Sequence, residues 1–124
     1  MVIQESAENY LEAILMLQEK NGFVRSIDIA EMLNFSKPSV SVAMKNFREN
    51  GYIEMAYNGS ITLTEKGLEI AKKTYSRHKL LSELLMMIGV SEGTAAQDAC
   101  KIEHDISEET FERLKELHGR EKAK

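Results

Sequence analysis

The chain has 124 residues, one cysteine, and 16 basic against 20 acidic side chains. That length fits one domain, or a small domain with an appended helical piece. The lone thiol excludes an intrachain disulfide framework and suits a reducing cytoplasm. No apolar run approaches the roughly 18 residues of a membrane span, and MVIQESAENY has neither the basic nor the apolar stretch of a secretory leader. A cytoplasmic protein with no membrane partner is the expectation.

The charge is uneven. Residues 1–63 carry −3, residues 64–81 carry +3, and residues 82–124 carry −4. A long basic tail is absent, so nucleic-acid binding would have to use a local patch, with acidity neutralised elsewhere, for instance by a cation.

In chain order, residues 4–20 read as a helix, because Ala7, Tyr10, Leu11, Ile14, Leu15 and Leu17 recur at spacings of three and four. Asn21-Gly22 stops it. Ser26 is expected to cap a short helix, SIDIAEML. Asn34-Phe35 makes a turn, Ser36 caps a third helix over about 37–49, and Pro38 sits in its first turn, where the missing N–H costs nothing. Two β-favouring runs then flank Asn58-Gly59, a strong hairpin signal because both residues tolerate positive φ. Thr64 or Glu65 opens a long helix to about residue 88. Further helices follow over about 92–105 and from Ser107 to about Leu117, and the tail HGREKAK is expected to fray.

Helix, helix, turn, helix and hairpin in that order is the winged helix-turn-helix arrangement. The fold class is therefore mainly α with a small β-hairpin. Residues 1–64 form the DNA-binding winged helix and residues 65–124 a helical domain. The reading head spans Ser26 to Gly51. Ser36, Lys37, Pro38, Ser39 and Ser41 open its second helix, where small hydroxyl side chains can approach phosphates and base edges closely. Lys37, Lys45 and Arg48 can neutralise phosphates, and the tip around Tyr57 can lie along the backbone or minor groove. Few of these groups make bidentate base contacts, so shape and apolar contact should carry much of the readout.

Cys100, Glu103 and His104 have i, i+3, i+4 spacing, which places a thiol, a carboxylate and an imidazole on one helical face. Such a set suits a first-row transition metal. Taken alone, it also fits a small core cysteine beside a solvated pair. Asn9 and Glu12, at i, i+3 on the first helix, and His78, in the long helix, could complete the shell. Against this, Glu12 fits ordinary solvation and His78 fits the basic cluster Arg77-His78-Lys79. His118, near the tail, reads as surface. The sequence has no nucleophile–base pair, no His-Glu-x-x-His and no phosphate loop, so no enzyme is expected.

SAENYLEAILML, SIDIAEMLNFSKPSVSVAMKNFRENGYI, ITLTEKGLEIA, RHKLLSELLMMIGV and CKIEH together resemble the diphtheria toxin repressor and manganese transport regulator family over about residues 5–117. The resemblance implies a homodimeric, metal-activated repressor of iron or manganese uptake genes, acting on a palindromic double-stranded operator. It implies Fe(II) or Mn(II) as cofactor, held by Asn9, Glu12, His78, Cys100, Glu103 and His104. It makes residues 65–124 a dimerisation and metal-binding domain, with Leu84, Leu85 and Ile88 in the dimer interface.

There are departures. Manganese-responsive members usually have Asp at Asn9 and Glu at Cys100. Iron-responsive members usually have Met and Cys at those places, and their ancillary histidine would fall on Ala96. The chain is also expected to lack the iron branch's extra C-terminal domain. Two other readings stay open: a winged-helix regulator answering to an organic ligand or to thiol oxidation, and a winged helix that docks proteins rather than DNA.

Overall fold

The computed structural model describes residues 5–124, Glu5 by its backbone alone. The order is α1 (Glu5–Asn21), α2 (Ser26–Leu33), α3 (Lys37–Glu49), β1 (Ile53–Met55), β2 (Ile61–Leu63), α4 (Glu65–Met87), α5 (Glu92–Ile102) and α6 (Glu108–Lys122). The expected class, mainly α with a small hairpin, is what is observed. The chain forms two compact units, one ending at Lys73 and one spanning Thr74–Lys124. The division by compactness falls inside α4, whereas the sequence expectation placed it at residues 64–65, where α4 begins.

In the first unit, Leu11 and Ile14 of α1, Ile29 of α2, Val40, Met44 and Phe47 of α3, and Ile53 and Ile61 of the hairpin are buried together with Val24. Tyr10 meets the rings of Phe35 and Phe47 edge-on, at centroid distances of 5.5 and 5.8 Å, geometry favoured by the ring quadrupoles. Burial raises the Tyr10 pKa. The strands pair antiparallel, Ile53 with Leu63 and Met55 with Ile61. Ile61 N–H donates outward to the Val24 carbonyl at 2.8 Å, so the segment before α2 adds one more rung.

Several local expectations change. Arg25, not Ser26, is the N-cap of α2, because the Asp28 carboxylate takes the Arg25 N–H at 3.0 Å. Of the hairpin pair only Gly59 adopts positive φ. Gly59 N–H closes a turn on the Ala56 carbonyl, and the Asn58 side chain accepts from Ser60 N–H. The loop is thus longer than a two-residue connection, with glycine alone supplying the left-handed residue. Ser36 caps α3 as expected: its hydroxyl accepts from Ser39 N–H at 3.2 Å and donates to Ser39 Oγ at 2.8 Å.

Thr64 sets the start of α4. Its N–H donates to the Tyr52 carbonyl, its hydroxyl donates to Gly51 O at 2.6 Å, and its Oγ1 accepts from Gly67 N–H. Gly67 is required here, since a Cβ at that position would lie 2.1 Å from the Tyr52 carbonyl oxygen.

In the second unit, Leu80, Leu81, Ala95, Ala99 and Phe111 are buried, and with them Thr74, Arg77 and Glu103. Gly89, at φ 100°, ends α4, with Val90 N–H returning to the Leu85 carbonyl. The tail expected to fray is helical to Lys122. Glu83 of α4 explains this: its carboxylate pairs with His118 Nε2 and lies 3.7 Å from Lys122 Nζ. His118 is accordingly not an ordinary surface residue, its side chain being only 14% exposed.

Candidate metal centre and nucleic-acid interface

Within the second unit, His78 Nδ1 lies 3.0 Å from Glu103 Oε2, and His104 Nε2 lies 3.3 Å from Glu103 Oε1. The Glu103 side chain has no solvent exposure. A carboxylate wholly removed from water costs several kcal/mol unless cations or donors face it. A buried carboxylate facing an imidazole is a nitrogen–oxygen pair suited to a divalent first-row ion, and His78 and Glu103 present their ligand atoms close enough to share one; His104 meets the other carboxylate oxygen and is not among the residues whose ligand atoms converge there.

The local chain path departs from the sequence reading. Cys100, Glu103 and His104 do not share one continuous helix. α5 ends at Ile102, Glu103 is its C-cap, and His104 lies in the following turn. The last bonds there are Glu103 N–H to Ala99 O and a tighter Asp105 N–H to Ile102 O, both 2.9 Å.

Arg77 provides the physical reason. Its Nη1 donates to the carbonyls of Glu103 (3.1 Å) and Ile106 (3.2 Å), and its Nη2 donates to Glu108 Oε2 at 2.9 Å. The guanidinium takes carbonyls that a helix end leaves open and stands 5.1 Å from the Phe111 ring centroid. Sequence reasoning left Arg77 in a basic cluster with His78 and Lys79. The signal that finds it is its place on the buried stripe of α4, three residues from both Thr74 and Leu80.

Cys100 is half-buried in α5, one turn before Glu103. In the first unit, Glu12 is 6% exposed, so it is not an ordinarily solvated carboxylate. Asn9 is half-buried three residues earlier on α1.

The reading head is open. Ser36, Lys37, Pro38, Ser39, Ser41 and Lys45 are all exposed, and Tyr57 at the hairpin tip is fully so. Lys45 and Arg48 line a concavity of about 180 Å³ with Ser26 and Ser41. Sequence reasoning missed Val42. It is 62% exposed on α3, three residues after Ser39, an apolar side chain placed on the same open face as the hydroxyls. At the end of α4, Leu84 and Leu85 are half-buried and Ile88 is 78% exposed. Leu84 and Ile88 line a concavity of about 400 Å³ with Met87 and Leu117, an apolar opening of the kind found at protein interfaces.

A winged helix followed by a helical unit with a buried His–Glu–His cluster defines the class of metal-linked DNA-binding regulators. Residues 3–60 match the family model described as iron dependent repressor, N-terminal DNA binding domain, and residues 64–123 match its metal binding and dimerisation domain. The chain belongs to this family of metal-dependent repressors, and the resemblance read from its sequence holds.

It is 39% identical to an HTH-type transcriptional regulator of Methanocaldococcus jannaschii, over 91% of this chain and 92% of that one. To the HTH-type transcriptional regulator MntR of Lysinibacillus sphaericus it is 35% identical, over 90% and 81%. Among solved structures, T. acidophilum IdeR superposes with a TM-score of 0.83 at 28% identity, covering 96% of this chain and 55% of that one. These relatives are regulators rather than enzymes. Among the described residues, no helix is long and apolar enough to cross a membrane.

Proposed function

We propose that this chain is a metal-activated transcriptional repressor of metal-uptake genes, binding a palindromic double-stranded operator as a homodimer. One observation carries the reading: the Glu103 carboxylate is fully buried between the imidazoles of His78 and His104. Those three side chains would hold a divalent ion. Cys100 would join them from α5, and the family resemblance adds Asn9 and Glu12 of α1 to the ligand set, with residues 1–64 as the DNA-binding domain and 65–124 as the dimerisation and metal-binding domain.

Glu12, Glu103 and the Cys100 thiolate repel one another when gathered without a cation. Neutralised by the ion, they would hold the reading heads in place. In a two-fold dimer through Leu84, Leu85 and Ile88, this sets the spacing of two recognition helices for half-sites one helical turn apart. Lys37, Lys45 and Arg48 neutralise phosphates. Ser36, Pro38, Ser39 and Ser41 approach the groove, Val42 suits a thymine methyl, and Tyr57 lies along the backbone. The bound ion is Fe(II) or Mn(II). A thiolate at Cys100 is softer than a carboxylate and favours Fe(II).

Capture of genomic DNA fragments under anaerobic conditions tests the proposal, with Fe(II), Mn(II) and chelator arms. Specific fragments should be held only with metal, most strongly with Fe(II). Equal retention in every arm would instead mark a winged-helix regulator indifferent to metal, and retention in none a protein-docking module.

A further inference from the structure

Two consecutive residues of α4 hold Glu103 in different ways. His78 meets its side chain, and Arg77 takes its backbone carbonyl. The same Arg77 nitrogen also takes the Ile106 carbonyl, so one guanidinium spans the turn that carries Glu103 and His104. Arg77 is buried, and its other end is fixed on Glu108 and the Phe111 ring of α6. Its Nη1 and Nη2 bonds go to the two carbonyls and to Glu108, and none of these three bonds is to the Glu103 carboxylate.

We infer that Arg77 is a positioning residue for the metal centre, holding the Glu103–His104 turn in ligating geometry through its backbone; this rests on the metal-binding reading above. A planar fork with several donors can bond two carbonyls and a carboxylate at once. A lysine ammonium is a point charge on a flexible stem and cannot reproduce that span. Groups that orient ligands without touching the ion typically change affinity about 10–100-fold when removed.

The test compares Arg77→Lys, Arg77→Met and His78→Ala with the full-length wild type. Co(II) affinity is measured by competition, the Co(II) absorption spectrum reports ligand geometry, and thermal unfolding is followed without metal. Arg77→Lys, which keeps a cation beside Phe111, carries the test if Arg77→Met does not fold. Arg77→Lys should lose about 10-fold or more in Co(II) affinity with an altered spectrum, a loss larger than the fall in its metal-free stability accounts for.

Wild-type affinity and spectrum in Arg77→Lys would overturn the positioning role. So would an affinity loss that merely follows a lowered metal-free stability, with the spectrum unchanged. Failure of the underlying reading looks different: the wild type would bind no Co(II), or His78→Ala would bind it as well as the wild type.

Discussion

His78 and Glu103 are 25 residues apart in the chain, yet Nδ1 of one lies 3.0 Å from Oε2 of the other. The contact joins α4 to the end of α5 inside one compact unit. Glu103→Gln keeps the shape and removes the charge. Because a buried charge is costly without its partner ion, metal-free Glu103→Gln should unfold at or above the wild-type temperature. It should lose more than about 100-fold in Mn(II) or Fe(II) affinity, beyond what loss of an orienting group costs. Thermal unfolding with and without metal checks both, since only the wild type should be stabilised by added ion. An equal metal-induced rise in Glu103→Gln would remove Glu103 from the ligand set.

The α3 surface divides into charge and shape. Lys45 and Arg48 line the concavity beside Ser41, and each phosphate contact contributes about 0.9 to the salt slope of binding. Counted over both protomers, the Lys45→Ala/Arg48→Ala double variant removes four such contacts and should lower the slope of log K against log salt by roughly 4, with little change in sequence preference. Val42→Ala should do the reverse, relaxing preference at one base pair at nearly constant slope. Fluorescence anisotropy across a salt series separates the two.

Gly67 gives a stability prediction with a definite sign. Replacing a helical glycine by alanine ordinarily stabilises by about 0.5–1 kcal/mol. Gly119 of α6, around which an added Cβ meets nothing within 4 Å, should behave so. At Gly67 the same methyl would sit 2.1 Å from a backbone carbonyl that also receives the Thr64 N–H. Gly67→Ala should destabilise by about 1–3 kcal/mol or more, read from urea unfolding. A stabilised Gly67→Ala would mean that α4 does not press on Tyr52 as described.

Ile88 is the most exposed apolar side chain at the end of α4. A carboxylate there should oppose its symmetry mate in a two-fold interface. Ile88→Glu should sediment as a monomer at concentrations where the wild type is a dimer, and metal-dependent operator binding should fall with it. A dimer that survives the substitution would place the interface elsewhere.

Much of this was legible in the sequence. The order of helices and hairpin followed from periodicity, Ser36 and Asn58-Gly59, because caps and turns are local chemistry. The identities of His78, Glu103 and His104 were legible as metal-type residues. What the sequence could not place were groups defined by distant partners. Arg77 looked like one member of a basic cluster, and only its carbonyl contacts with Glu103 and Ile106 explain why α5 stops short. His118 looked like a fraying end until Glu83 of α4 supplied its partner. Gly67 carried no local demand at all; its reason is the Tyr52 backbone fifteen residues earlier.

Linkage between metal and DNA tests the central proposal most directly. If one ion fixes the reading heads, operator DNA must raise metal affinity by the same factor by which metal raises DNA affinity, about 5–150-fold for couplings of ordinary size. The measurement is Mn(II) or Fe(II) affinity of the full chain with and without a saturating captured operator fragment, at one salt concentration. Tighter metal binding with the fragment, and no such gain in Glu103→Gln, is the predicted result. The same metal affinity with and without DNA would contradict metal control of DNA binding, whatever ions the His78–Glu103–His104 cluster holds.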